Sequence, residues 1–491
     1  MRLRSLLACA AALAITSAAL CAPPALRADT RHAWAAPVPP DGVIALNARS
    51  RNADEPVVSD ALVEEIRAKT RVRCIIQLKP DQNVRAVAND VEKASESGRV
   101  LKSNGSSSFF VAEVDQRTLA ELRKDPRVQA VYKDELSAAA PLAASAMPPG
   151  LDVSTNLIGS NRANAAGWTG RGTTVAVLDT GIDRSHPFFA GRIVDEACFS
   201  SSYAGDGTVS LCPNNRPSQT GAGAADARTA RCLKDDANAC FHGSHVAGIA
   251  AGRLVPGAPS NGVAPEAGIL AVQVFSRLEN PLSCALQRVR APCLLSYTSD
   301  QKLALQYVAR VARLHNVAAV NLSLGGGEPF TRACDDDPAA AALKPEFDAL
   351  ERLGVASVVA AGNEGFTTGV TAPACVSTAV AVGASDAGDA PASFTNRGPL
   401  VDLFAPGVAI RSSVPGGTYT ELSGTSMAAP HVAGVFALMR QAYPRFSVAQ
   451  ALQRLQATGR RLRYTAGRMS VTTARIDAEQ ATAAATARSA A

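Results

Sequence analysis

From about residue 150 onward, short, largely apolar, β-branched runs alternate with stretches whose apolar residues recur at helical spacing. Val175–Leu178, Ile269–Phe275, Ala318–Leu324, Ala356–Ala361 and Ala379–Val382 have the length and composition of buried strands. Between them, 300–314 and 345–353 carry the i, i+3, i+4 pattern of helices packed by one face. Strands that are apolar on both faces and separated by helices predict an α/β fold. Its core would be a three-layer, mostly parallel sheet with helices on both faces. In such sheets functional groups collect at the carboxyl ends of strands, which is where Asp179, Ser323 and Asn363 are expected.

Ahead of this region the rhythm differs. Residues 71–135 read as strand 74–78, helix 84–94, strand 109–114, helix 118–123 and strand 128–132, a small α+β unit. Residues 29–70 are Ala/Pro-rich and read as a linker, and 136–150 are Ala/Pro/Ser-rich and read as flexible or easily cut. The Ala-rich tail 482–491 carries no pattern. At the other end, Arg2 and Arg4 precede an apolar stretch from Leu6 to Leu20 and then small residues. This is the layout of a cleaved secretory signal, assigned to 1–28. The run is too short and too interrupted by Thr16 and Ser17 for a membrane anchor. Leu20 is a poor fit for lipidation of Cys21. No later segment is long and apolar enough to span a bilayer, so a soluble, exported protein, extracellular or periplasmic, is expected.

Composition supports this picture and removes others. Of 491 residues, 47% are hydrophobic and 19% charged, a globular balance. The net charge of +6 is small for this length and no dense basic run occurs, so nucleic-acid binding is not expected. Cys198, Cys212, Cys232, Cys240, Cys284, Cys293, Cys334 and Cys375 all fall after residue 150. An even number in an exported domain predicts disulfides, with Cys284–Cys293 the easiest local pair. Zinc is disfavoured because no CxxC pair or His–Cys cluster is present.

Three strings carry candidate chemistry. They are Val175-Ala-Val-Leu-Asp179-Thr-Gly181, His242-Gly-Ser-His245-Val-Ala-Gly248 and Gly424-Thr-Ser426-Met-Ala-Ala-Pro430-His431. Acyl transfer needs a nucleophile, a base that takes its proton and an acid group that orients the base. Taken singly, Asp179 could be a turn residue, His242 a helix-start residue and Ser426 an N-cap. Together, in this order, they predict a catalytic set. His245 and His431 are expected to hydrogen-bond structurally. Ser426 opens an apolar helix read as 427–439, where backbone N–H groups and the helix dipole favour an oxyanion.

These strings resemble the three signature segments of the subtilisin-like serine proteases (subtilases), and Asp, His, Ser is subtilisin's chain order. Ser323-Leu-Gly-Gly326 and Ala360-Ala-Gly-Asn363-Glu-Gly365 resemble that family's substrate strand and oxyanion segment. The resemblance spans about 151–481 and implies a subtilisin-like peptidase domain, assigned to 147–481. It implies Ser426 as nucleophile, His242 as general base, Asp179 as its orienting acid, and Asn363 with the Ser426 N–H as oxyanion donors. Ser323, Leu324, Gly325 and Gly326 would bind substrate. Residues 71–146 are similar to the family's inhibitory propeptide, cleaved within 136–150. A secreted endopeptidase is implied, made as a self-processed zymogen, acting on polypeptides as a monomer and inhibited by its own propeptide. No cofactor is expected for the chemistry; a structural calcium is an expectation without a location, and no metal ligands are assigned. Glu364 and Thr371 are candidates for shaping specificity. The 179–242 interval, longer than in compact family members and containing four cysteines, reads as a disulfide-stapled insertion. Signature position 244 is Ser where many members carry Thr. Two rival readings use the same motifs: a transpeptidase or narrow processing enzyme, and a non-enzymatic binding protein, which the intact Asp179, His242, Ser426 and Asn363 argue against.

Overall fold

The protein is described here by a computed structural model covering residues 55–94, 99–139, 150–234, 237–286, 291–338 and 340–483. The signal segment 1–28, the first part of the 29–70 stretch and the tail from 484 lie outside the described residues.

The small α+β unit starts earlier than the sequence suggested. Its elements are β1 (Val57–Val58), α1 (Asp60–Lys69), β2 (Val72–Leu78), α2 (Val84–Ala94), β3 (Arg99–Ser103), β4 (Phe109–Val114), α3 (Gln116–Leu122) and β5 (Val128–Lys133). The stretch expected to be linker up to residue 70 therefore contains a strand and a helix. The Ser59 hydroxyl caps α1 by accepting the Leu62 N–H at 3.1 Å, and Leu62 and Ile66, one turn apart, enter the core. The sheet order is β1-β5-β2-β4-β3, with β2 antiparallel to both β4 and β5. Alternation along β2 sends Cys74, Ile76 and Leu78 under the helices, while Ile75 joins Phe109 and Val111 on the opposite face against Leu303.

A second difference follows directly. β6 (Leu136–Ala139) lies in the stretch expected to be loose, yet it is a paired strand. It runs antiparallel to Cys293–Tyr297 on one side and to Leu324–Gly325 on the other.

In the large domain, ten strands among the described residues form one sheet. Their order is 218–220, 193–199, 268–273, 174–179, 317–322, 356–360, 379–385, 403–406, 469–475 and 460–466. The two edge pairs are antiparallel and every pairing between them is parallel. The central strand Thr174–Asp179 is buried at every residue, as layers on both faces require. Helices Phe241–Ala251 and Thr425–Ala442 cover one face and Thr298–Val311 and Lys344–Arg352 the other. The run expected as 318–324 divides at Ser323, where the chain leaves this sheet and begins Leu324–Phe330, the strand that pairs with β6.

The eight cysteines pair as Cys198–Cys212, Cys232–Cys240, Cys284–Cys293 and Cys334–Cys375. Two of the bridges staple the 179–242 insertion. Cys74 is a buried free thiol.

Candidate active site

Asp179 is the last residue of the central strand, and its carboxylate meets His242 in the first turn of Phe241–Ala251. His242 Nδ1 lies 2.8 Å from Asp179 Oδ1 and 3.0 Å from Oδ2, and both side chains are buried. The sequence permits this approach through a missing side chain. A Cβ on Gly243 would lie 2.2 Å from the Gly181 carbonyl oxygen and 3.1 Å from Asp179 Cβ, so only glycine lets the helix start sit on the strand end. Gly181 itself has φ +93, which turns the chain away after Asp179. The helix is further fixed by the Cys232–Cys240 bridge, whose second cysteine is its N-cap.

Ser426 is the second residue of Thr425–Ala442, whose N-cap, Gly424, has no side chain to cap the first N–H groups. Its hydroxyl donates to the Ser323 carbonyl at 3.3 Å. His242 Nε2 is buried without a hydrogen-bond partner among the described residues, so the base is not yet bonded to the hydroxyl. Hydrogen bonds of this kind tighten once substrate is in place. Ser323 returns the contact: its hydroxyl donates to the Ser426 carbonyl at 2.9 Å. That carbonyl is left over by Pro430, which has no N–H to give four residues on. A proline inside the helix thus ties the end of one strand to the helix start, for a bond worth about 0.5–1.5 kcal/mol.

Asn363, three residues past the strand Ala356–Ala360, is held by its amide oxygen. Thr425 donates to Oδ1 from its N–H at 2.8 Å and its hydroxyl at 2.9 Å. The amide nitrogen is thereby turned toward Gly424, where an added Cβ would lie 3.1 Å from Nδ2. Asn363 Nδ2 is in this way brought to the start of the helix that carries Ser426.

Leu324, Gly325 and Gly326 form the rim on which β6 lies. Gly325 has to be small, because a Cβ there would lie 2.8 Å from the Ala372 carbonyl oxygen, whereas one on Gly326 would meet nothing within 4 Å. Beside them opens a cavity of about 520 Å³, bordered by Leu136 and Ala138 of β6 and by Gly325, Glu364, Ala372 and Pro373. Glu364 sits on this border with its carboxylate accepting from Asn396 Nδ2 at 2.6 Å. Thr371, the other candidate for shaping specificity, is fully buried behind Gly325, and its neighbours Ala372 and Pro373 border the cavity instead.

The remaining histidines of the signature strings hold structure. His245 Nε2 lies 3.0 Å from the Ile410 carbonyl and 3.1 Å from that of Thr420, and burial pushes its pKa down to about 3. His431 bridges the Met427 carbonyl and Ser154 Oγ, both at 2.8 Å, and burial lowers it to about 4. Sequence reasoning missed Ser154, Thr425 and Pro430 as supports, since their roles depend on contacts between distant elements. Among the described residues, no group of three or more His, Cys, Asp or Glu side chains is placed to hold a metal ion. Nor is any described helix long and apolar enough to cross a membrane.

A doubly covered parallel sheet with an Asp–His pair at a strand's carboxyl end, and a serine opening a helix beside it, is the arrangement of an α/β serine hydrolase. The chain belongs to the subtilase family, whose model matches residues 170–482. Subtilisin E of Bacillus subtilis (strain 168) is 31% identical over 397 residues, covering 80% of this chain and 86% of its own. Subtilisin of Bacillus pumilus is 33% identical over 299 residues, 60% of this chain and 86% of its own. Alkaline serine exoprotease A of Vibrio alginolyticus is 32% identical over 343 residues, 68% of this chain and 52% of its own. The protein is therefore a subtilisin-like serine endopeptidase, in a family whose chemistry needs no cofactor.

Proposed function

We propose that this chain is the zymogen of an exported endopeptidase that hydrolyses polypeptides through an acyl-enzyme, with its own N-terminal unit as inhibitor. Ser426 Oγ attacks the scissile carbonyl while His242 Nε2 accepts its proton and later delivers it to the leaving amine. Asp179 holds Nδ1 protonated and offsets the imidazolium charge. Asn363 Nδ2 and the Ser426 N–H donate to the oxyanion as it forms, at a helix N-terminus that favours negative charge. Water then hydrolyses the ester with His242 as base.

The seat of β6 is the observation that carries this reading. A segment of the chain itself lies antiparallel along Leu324–Gly325, with Cys293–Tyr297 on its other side, which is the strand-addition mode by which an extended substrate would be held. Because Leu136–Ala139 is paired, the bond to be cut is assigned to 140–150. The signal at 1–28 would direct export, and the two helix-covered units, 57–139 and the large domain, would part after cleavage.

A phosphonofluoridate probe should label the mature enzyme at Ser426, located by peptide mass analysis. Ser426→Ala, made as the full chain in a protease-free host, should remain uncut between the two units. Normal maturation of that variant, or absence of labelling in the wild type, would refute the assignment.

A further inference from the structure

Arg73 lies on β2 of the small unit, yet its guanidinium is sunk into the large domain, leaving the residue 5% exposed. It bonds Asp134 of its own unit at 2.7 Å through Nε. Everything else it meets belongs to the large domain. One terminal nitrogen reaches Ser201 Oγ at 3.2 Å and Ser299 Oγ at 3.3 Å. The cation stands 4.2 Å from the ring centre of Tyr297 and 5.3 Å from that of Tyr203. Asp300, fully buried, adds its field and together with Asp134 holds the guanidinium firmly charged against the cost of burial.

These walls are also bonded within the large domain itself. Tyr297 ends a strand and donates its hydroxyl to Asp206 at 2.6 Å, and Asp300 accepts the Ser201 N–H at 2.9 Å and its hydroxyl at 3.2 Å. Ser201 and Tyr203 lie in the loop closed by Cys198–Cys212, which gives part of the disulfide-stapled insertion a defined task. Departure of the small unit removes two cations from this place, Arg73 and Lys102, the latter paired with Asp300, and one anion, Asp134. The Asp300 carboxylate and the faces of Tyr203 and Tyr297 are left, a set that attracts guanidinium strongly when shielded from water.

Resting on the reading that the small unit is released, we propose that the mature enzyme has an arginine-binding recess formed by Ser201, Tyr203, Tyr297, Ser299 and Asp300. Its ligand is an arginine side chain of the polypeptide substrate. Asp134, whose carboxylate touches both Ser299 and Arg73, stands two residues before β6, so a substrate in the register of Leu136–Ala139 brings its residue two before that segment to the edge of the recess, within reach of a long side chain.

The test uses mature enzyme and internally quenched peptides carrying the 135–139 sequence, preceded by arginine or by its neutral isostere citrulline. The expected kcat/KM ratio, arginine over citrulline, is about tenfold, expressed mainly in KM. Asp300→Asn and, separately, Tyr203→Leu should bring each variant's own ratio to within about twofold of one. Using a ratio within each variant cancels any general loss of activity or folding. A wild-type ratio near one, or a tenfold ratio that survives both substitutions, overturns the recess. A protein that cleaves neither peptide, or whose mass shows the small unit still attached, overturns the zymogen reading and the recess with it.

Discussion

The contact between the two units and the core beneath Ser426 are both buried, but they are built from opposite materials. Beneath Ser426, two helices pack through small groups: a Cβ on Gly434 would lie 2.8 Å from the Ala250 carbonyl, and one on Gly248 2.3 Å from Ser412 Oγ. The histidines there are kept neutral by burial. Between the units a small apolar patch, Ile75, Phe109 and Val111 against Leu303, is flanked by charged and polar contacts. Lys102 pairs with Asp300. Arg73, held by Asp134 of its own unit, reaches Ser201 and Ser299, and the Asp134 carboxylate accepts the N–H and hydroxyl of Ser299 at the start of Thr298–Val311, at 2.8 and 2.6 Å. That helix has no cap from its own N-cap residue, Tyr297, so the small unit supplies one. A close-packed apolar core cannot be opened without large loss of stability. A contact made of charges can part, because water compensates each half once exposed.

The sharpest way to break this comparison is to take out one ion while the units are still joined. In a Ser426→Ala full chain, Asp134→Ala should cost about 3–5 kcal/mol, since it strands the buried Arg73 and uncaps the helix. Thermal or denaturant unfolding reads this directly. A cost below about 1 kcal/mol would mean that the ions are passengers and the apolar contact of Ile75, Phe109 and Val111 with Leu303 holds the units together.

On the other side of the comparison, Asn363→Ala tests whether the tightly built region is organised for chemistry. Loss of one oxyanion donor should lower kcat by about 100- to 1000-fold with little change in KM. Steady-state kinetics on one peptide decides it, and an unchanged kcat would remove Asn363 from the mechanism.

The smallest effect concerns the neutral histidines. His245 and His431 have pKa values of about 3 and about 4 in the fold, against about 6.5 when unfolded. As pH falls below 6.5 the unfolded chain binds protons that the folded chain refuses, so stability drops by about 1.4 kcal/mol per pH unit for each group. Asp402, pushed up to about 6 by burial, has the opposite sign below pH 6, where the folded form holds the proton more tightly. Replacing His431 by Gln should therefore flatten the slope between pH 4.5 and 6.5 by about 1.4 kcal/mol per unit. Equal slopes in urea titrations of the two proteins would show that His431 titrates normally in the fold.

Much of this molecule was legible in the chain. The five apolar runs each supply a strand of the central sheet, though the 318–324 run leaves it at Ser323, and the candidate residues Asp179, Ser323 and Asn363 stand at or just after strand ends. Local composition suffices there, because a strand covered on both faces has to be apolar throughout. The Cys284–Cys293 bridge was readable for a similar reason, its two partners being only nine residues apart. Other features were beyond local pattern. β6 has four residues of no distinctive composition and becomes a strand only because two strands from elsewhere leave a slot between them. α1 was obscured by the Ala/Pro-rich sequence before it and owes its place to two side chains, Leu62 and Ile66. The burial of Arg73, the cap that Asp134 lends to another unit's helix and the Ser323 bond that answers Pro430 join residues 61 to 226 positions apart. Sequence determined which residues could do chemistry, since that depends on their own functional groups and immediate neighbours. Only the tertiary structure decided which of them meet, because desolvation, charge pairing and close approach exist between surfaces that the chain brings together from far apart.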